Sequence, residues 1–136
     1  MKNAKKIIGS FIDKTSVSVM GSIDSKGFPH AKAMRLRKRE GIKTLFFSTD
    51  ASSEATKHYV KNPKACVYFF SEDKGVLLKG TMKVLKDNAS KKRIWRRGDE
   101  IFYAKGVADP DYCVLKFTAR SGRYYSNYES EDFKVI

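Results

Sequence analysis

Five of the six positions from Ser48 to Ser53 carry a hydroxyl or a carboxylate: Ser48, Thr49, Asp50, Ser52 and Ser53. They follow an apolar, β-prone run at Thr44–Phe47 and precede a segment that reads as a short helix stopped at Asn62-Pro63. Ser52 or Ser53 is placed to cap that helix. Hydroxyls beside the unpaired N–H groups of a helix start make a seat for phosphate. An ordinary capped connection is the simpler use of the same spacing. Arg35 and Arg37 alternate on one strand face, either as a basic rim guiding an anion or as a solvated surface. His30 and His58 can carry protons. No carboxylate or nucleophile is spaced around them in the chain, so an exposed or structural histidine is the default. Trp95, Phe102 and Tyr103 can stack on a planar ligand, although core or dimer packing is the commoner use of such residues. No Ser/His/Asp, Cys/His or paired-carboxylate pattern offers a carrier for hydrolysis, and no Cys-x-x-Cys or His-x-x-x-His spacing offers a metal site.

The elements that must position these residues follow from hydrophobic periodicity. Residues 2–13 place Ile7, Ile8, Phe11 and Ile12 on one side of an amphipathic helix. Ser16–Ile23 alternates with Val17, Val19, Gly21 and Ile23 on one face, and Asp24–Gly27 turns it back as a hairpin. Strands are expected at 30–38, 43–49, 65–71 and 76–86, with Gly80 marking a bulge or a close backbone approach. A helix follows at Asp87–Arg97, then an irregular stretch with an Asp109-Pro110-Asp111 turn. Tyr112–Thr118, a tight turn at Ser121-Gly122 and a last strand at Arg123–Tyr128 complete the chain. Six or seven strands with short turns and two or three helices imply a mainly β fold, a closed or nearly closed antiparallel barrel, because closure removes exposed edges. The interior of so small a barrel fills with side chains, so a ligand binds outside it or at a subunit interface.

The 136 residues suit one domain spanning 1–136, and 41% hydrophobic and 12% aromatic residues suit a folded core. No apolar run reaches the roughly 18 residues of a membrane span. The N-terminal stretch is too polar for a secretory signal, which makes the cytoplasm the expected compartment. Cys66 and Cys113 lie in apolar strand-like runs and read as small buried hydrophobes in a reducing environment, a disulfide being the lesser alternative. A formal charge of +13 favours anionic ligands.

The order of these pieces resembles the pyridoxamine phosphate oxidase-like FMN-binding split barrels, in particular their general-stress-protein branch. Gly27-Phe28-Pro29-His30-Ala31-Lys32-Ala33-Met34, Phe47-Ser48-Thr49 with Ser52-Ser53 and Asn62-Pro63, and Gly80 carry the resemblance. Trp95, Gly106, Asp109-Pro110-Asp111 and Arg123-Tyr124-Tyr125 extend it to the C-terminal region, roughly from Val17 to Tyr125. It implies a homodimer of split barrels with FMN in clefts between the subunits, and an oxidoreductase acting on a small substrate. By that resemblance Lys32 takes the place of an arginine at the flavin phosphate with Met34 beside it, Thr49, Ser52 and Ser53 take the hydroxyl positions, and Ala33, Arg35 and Lys57 belong to the cofactor site. Phe47 and Ser48 run along the ring or ribityl chain, and Trp95 or an aromatic near Phe102 closes the site from the partner. Two positions depart from the family pattern. Lys32 replaces an arginine, which keeps the charge and loses the bidentate fork. Glu54-Ala55 stands where the pattern has a lysine, and losing one charged hydrogen bond of about 1.5–3 kcal/mol weakens phosphate binding roughly 10- to 150-fold.

Two other functions compete with the flavoenzyme. One is a non-catalytic dimeric barrel that binds FMN weakly or holds another anion, which Glu54 and Ala55 favour. The other is a nucleic-acid-binding barrel, which the charge favours. The basic strand 32–38 lacks the interleaved aromatics that such a surface needs.

Overall fold

The structure, a computed structural model, describes residues 1–15 and 17–136. Ser16, expected to open the first strand, lies outside the described residues. Helix α1 (Ala4–Lys14) buries Ile8 and Ile12 completely and packs Phe11 against the core, while Ile7 stays 41% exposed. Strands β1 (Ser18–Ile23) and β2 (Pro29–Met34) form the first hairpin. Its turn is built by Asp24, whose Oδ1 accepts from the N–H groups of Lys26 and Phe28, both at 2.9 Å. Gly27 supplies the left-handed residue at φ 84°. Next come β3 (Lys38–Glu40), β4 (Thr44–Asp50), helix α2 (Glu54–Lys61), β5 (Lys64–Phe70) and β6 (Lys74–Leu85). Helix α3 (Asn88–Ile94), two 3-10 turns at Asp99–Ile101 and Gly106–Ala108, β7 (Tyr112–Ser126) and β8 (Glu129–Lys134) end the chain.

All strand pairs are antiparallel, in the order β2-β1-β5-β6-β7-β4-β3, with β8 added to the far half of β7. The two ends of that order, β2 and β3, are one bent run of chain joined through Arg35–Arg37. The Arg37 N–H donates to the Phe46 carbonyl at 2.9 Å, so the bent run ties both edges of the sheet together and closes it as a barrel. Before the bend, β2 pairs only with β1, and its other edge has no strand partner among the described residues. That gap between β2 and β4 is the split.

Leu45, Phe47, Val67, Phe69, Val76, Leu78, Leu115 and Phe117 fill the interior, which α1 and α2 also enter. The opposite face of β4 and β7 carries Phe46 and Val114 beneath Ile94 of α3. The single residue Gly80 marks the irregularity between β6 and β7, where the register shifts. A Cβ there would overlap the Thr118 carbonyl oxygen and lie 2.8 Å from its carbon.

The mainly β split-barrel architecture stands, with eight strands in the sheet. Four local expectations change. The inward face of β1 is Ser18, Met20 and Ser22, not Val19, Gly21 and Ile23. Small hydroxyls can face inward because Ser18 Oγ donates to the Met34 carbonyl and Ser22 Oγ meets His58 Nδ1. The 30–38 strand breaks at 35–37, where the chain bends to close the barrel. Ser121-Gly122 is no turn: β7 runs straight through it, with Gly122 leaving room for the Phe133 ring. The turn lies at Asn127-Tyr128, both at positive φ, and leads into β8, which sequence periodicity did not show. The third helix stops at Ile94, capped at its start by Asp87, whose carboxylate accepts from the Ser90 N–H at 3.0 Å.

Candidate functional site

The register of β1 with β2 places His30, Lys32 and Met34 opposite Ser22, Met20 and Ser18, so these three side chains share the inward side of β2. Met34 and Leu36 reach the core, while every residue from Pro29 to Ala33 is exposed. On an antiparallel edge, alternate residues point both backbone groups away from the partner strand. The free edge of β2 therefore offers N–H and C=O groups to whatever enters the split, beside the Lys32 ammonium and the small Ala33. The far wall is the end of β4 with the start of α2.

That wall is arranged in detail. Ser53 caps α2: its Oγ accepts from the Thr56 N–H at 3.2 Å and pairs with Thr56 Oγ1 at 2.8 Å. Thr56 Oγ1 in turn donates to the Asp50 carbonyl at 2.9 Å. The Ser52 N–H donates to Asp111 Oδ1 at 2.9 Å, and the Ala51 N–H to the Asp111 carbonyl at 2.6 Å. Asp50 accepts from the Tyr103 hydroxyl at 2.7 Å. Burial, followed by that carboxylate contact, pushes the Tyr103 hydroxyl's pKa upward.

The candidate residues thus fall into groups. Lys32 and Ala33 are exposed on β2 and Met34 reaches the core from it, while Thr49 is buried at the end of β4 and Ser52 and Ser53 lie in the turn before α2. Phe47 is fully buried in the core, so its ring cannot lie along a ligand: alternation on β4 turns 45, 47 and 49 inward. Ser48 is consequently on the outer face with Phe46 and Asp50. Arg35 is exposed just past β2. Arg37 is neither a basic rim nor a solvated charge. Its guanidinium donates to the Ile94 carbonyl at 3.1 Å and to Asp99, with Nε left unpartnered. Trp95 is half-buried and packs edge-on against Tyr112 at 5.0 Å and near Tyr103 at 6.3 Å. Within its own chain it packs the α3 side of the sheet. Burial pushes the Tyr112 hydroxyl up to about 12. Ala55 sits in the core at 9% exposure, so a lysine there would have to leave the packed interior to reach a ligand.

Lys57 points to a different feature. With Glu54, His58 and Lys61 it lines a groove of about 540 Å³ between α2 and the Asp24–Lys26 turn. Beside that groove the fold assembles a cluster that local spacing hides. The His30 and His58 rings lie 4.5 Å apart, His30 Nε2 is 2.9 Å from Asp24 Oδ2, and His58 Nδ1 is 2.8 Å from Ser22 Oγ. The His30 contact, followed by the Phe28 N–H, holds the Asp24 carboxyl below its ordinary range. Asp24-x5-His30 was the one sequence signal available for the first of these contacts; the second joins residues 36 positions apart. Ser22 is only 5% exposed, so its hydroxyl orients His58 and is closed to a substrate. Cys66 and Cys113 are free thiols, half-buried and buried, as their strand positions suggested. Among the described residues no cluster of metal-ligating side chains forms, and no helix is long and apolar enough to cross a membrane.

The chain belongs to the family described as pyridoxamine 5'-phosphate oxidase like, whose sequence pattern matches residues 3–136. No curated protein matches it. Among solved structures it is similar to a Clostridium acetobutylicum protein related to general stress protein 26 of B. subtilis (pyridoxinephosphate oxidase family). Identity is 34%, covering 99% of this chain and 96% of that one, with a TM-score of 0.88. General stress protein 26 of Bacillus anthracis is 19% identical over 96% of this chain and 98% of its own, with a TM-score of 0.80. A heme binding protein from Mycobacterium smegmatis is 12% identical over 98% of this chain and 59% of its own, with a TM-score of 0.76. The last two similarities show the shared fold.

An FMN molecule has three parts to satisfy. To a planar ring and a polyol chain the split presents an unpaired strand edge, the small Ala33 and a lysine. At the start of α2 Ser53 Oγ is bonded to Thr56 and Asp111 takes the Ser52 N–H, while the Ser52 hydroxyl and the Glu54 and Ala55 N–H groups have no hydrogen-bond partner among the described residues.

Proposed function

We propose that this chain is a flavoprotein, a single split-barrel domain of the cytoplasm that binds FMN in the split and acts as a flavin-dependent oxidoreductase on a small substrate. The observation that carries this is the unpaired edge of β2 at the split, in a chain whose family membership spans 3–136. A flavin supplies electron transfer, while the protein supplies orientation and electrostatics. That division of labour accounts for a site with a lysine, a methionine and free backbone groups but no nucleophile.

The same reading includes a homodimer. Val19, Gly21 and Ile23 of β1, Ala31 and Ala33 of β2, and Cys66, Tyr68 and Phe70 of β5 share the outer sheet face. Among the described residues no helix covers it, and Phe70 is 46% exposed. An apolar sheet face of this kind calls for a partner, and a second copy would bury it and wall the split.

Purified protein carrying visible flavin absorption after desalting supports the reading, as does saturable quenching of added FMN fluorescence. Lys32→Ala should weaken FMN binding several-fold; unchanged affinity would discard Lys32 as a ligand. A second reading, a non-catalytic barrel that holds FMN weakly, is favoured by the Asp111 and Glu54 carboxylates at α2. Failure of bound FMN to be reduced by any nicotinamide or flavin donor would select it.

A further inference from the structure

Four strands line up a row of cations on the outer side of the barrel. The register sets Lys83 of β6 opposite Lys116 of β7, Lys116 opposite Phe46 of β4, and Phe46 opposite Lys38 of β3. Where the row would lose its charge, Arg93 of α3 lies over the Phe46 ring, 5.7 Å from its centre. The line of charge therefore runs Lys83, Lys116, Arg93, Lys38. At roughly 4.8 Å per strand it is about 14 Å long. The neighbouring row, on the side away from Val114, is Thr81, Thr118 and Thr44, with Lys64 at one end and Glu40 at the other. Glu40 is the only carboxylate in the two rows, and Arg93 approaches it at 3.9 Å. Lys38 and Lys83 are exposed and Lys116 is partly exposed. Among the described residues none of these three lysines has an ion-pair partner. Like charges directly opposite one another on neighbouring strands are destabilising, so the pairing of Lys83 with Lys116 works against the fold and calls for another reason.

We propose that this face docks on the phosphate backbone of duplex DNA without reading its sequence, independently of what fills the split. Lysine, arginine and threonine are among the side chains that contact phosphates and position a protein on a duplex. Other partners fit the two rows less well. A single strand is held by stacking its bases on aromatic rings, and the one ring in these rows, Phe46, is 2% exposed. A protein partner needs a buried apolar or aromatic anchor, and lysine is depleted from such interfaces. Duplex RNA is read by its shape over roughly 16 base pairs, much longer than a row of about 14 Å. The formal charge of +13 draws DNA to the protein from a distance, and the rows fix where it lands.

The test is fluorescence anisotropy of a dye-labelled DNA duplex of about 20 base pairs, titrated with the intact protein. Four phosphate contacts give log K against log salt a slope of roughly −3.6, so binding should weaken on the order of 100-fold between about 50 and 200 mM KCl. A duplex of scrambled sequence should bind equally well. Lys83→Thr and Lys116→Thr should each make the slope shallower by about 0.9, and the double variant should bind at least tenfold more weakly at low salt. Lys5→Thr removes the same charge from the exposed side of α1 and should leave slope and affinity as they are. Lys116→Thr should melt no lower than the parent, because it relieves the repulsion with Lys83; its lost binding is then not lost folding. A lower melting temperature would overturn the argument from repulsion. Absence of binding at low salt, or equal losses for Lys5→Thr and Lys116→Thr, would overturn the proposal, the latter by showing that net charge alone attracts the duplex. Tighter binding of single-stranded DNA or of duplex RNA than of duplex DNA would overturn it in favour of that partner.

Discussion

Replacing Arg37 by Met tests how the barrel is held closed beside the split. The guanidinium joins the β2–β3 bend to the end of α3 through the Ile94 carbonyl and Asp99, and Arg96 adds a bond from its own guanidinium to the Arg37 carbonyl at 2.6 Å. The Arg37 and Asp99 side chains are 16% and 14% exposed, so removal of one leaves the other largely desolvated. Breaking a buried pair costs about 3–5 kcal/mol. Asp99 keeps the Arg96 N–H at 2.8 Å as a partner, and the unpartnered Arg37 Nε already lowers the worth of the pair, which puts Arg37→Met near the bottom of that range, about 3 kcal/mol. Against a total stability of roughly 5–15 kcal/mol this is a large fraction. Asp99→Asn should cost about 2 kcal/mol by stranding the cation. The double variant should cost little more than Arg37→Met alone, a coupling of about 2 kcal/mol. Urea unfolding followed by circular dichroism measures all three. Additive losses, with coupling below about 0.5 kcal/mol, would refute the view that these two charges hold the bend as a pair.

Two other substitutions probe the frame. Gly80→Ala should destabilise by about 3 kcal/mol, because the added carbon meets the Thr118 backbone and not a movable side chain. A fall in Tm near 10 °C is then expected, and a variant as stable as the parent would place the bulge elsewhere. Burial raises the pKa of the Cys66 and Cys113 thiols above their ordinary value. At neutral pH both should therefore react slowly with iodoacetamide, Cys66 faster as pH rises and as dilution separates the proposed dimer that covers it, and Cys113 only on unfolding. Rapid alkylation of both in the native protein would contradict their packing.

Much of the frame was legible because local chemistry agreed with it. The Asp24–Gly27 turn, the Ser53 cap, the Asn62-Pro63 stop and the Gly80 bulge all announce themselves in a few residues. What failed was parity and continuity. Val19 looks inward by hydrophobicity, yet Ser18 and Ser22 take the interior because Met34 and His58, distant in sequence, satisfy their hydroxyls. Ser121-Gly122 has the composition of a turn, but Gly122 is small because the Phe133 ring lies against it, a reason that exists only once β8 has folded back.

The site shows the same division between local and assembled information. The Ser48–Ser53 hydroxyl cluster was visible as a run of residue types, and the run was read as a seat for phosphate. Its meaning changes when Asp111, 59 positions from Ser52, brings its carboxylate to the Ser52 N–H and its carbonyl to the Ala51 N–H. A hydroxyl-rich helix start therefore has two physical solutions: it can wait for an anion, or the chain can supply one. Here the chain supplies it, and that carboxylate anchors the loop before β7 to the start of α2. The wall opposite, the free edge of β2 with Lys32, makes no such bonds among the described residues, so the two walls differ in how far their polar groups are already paired.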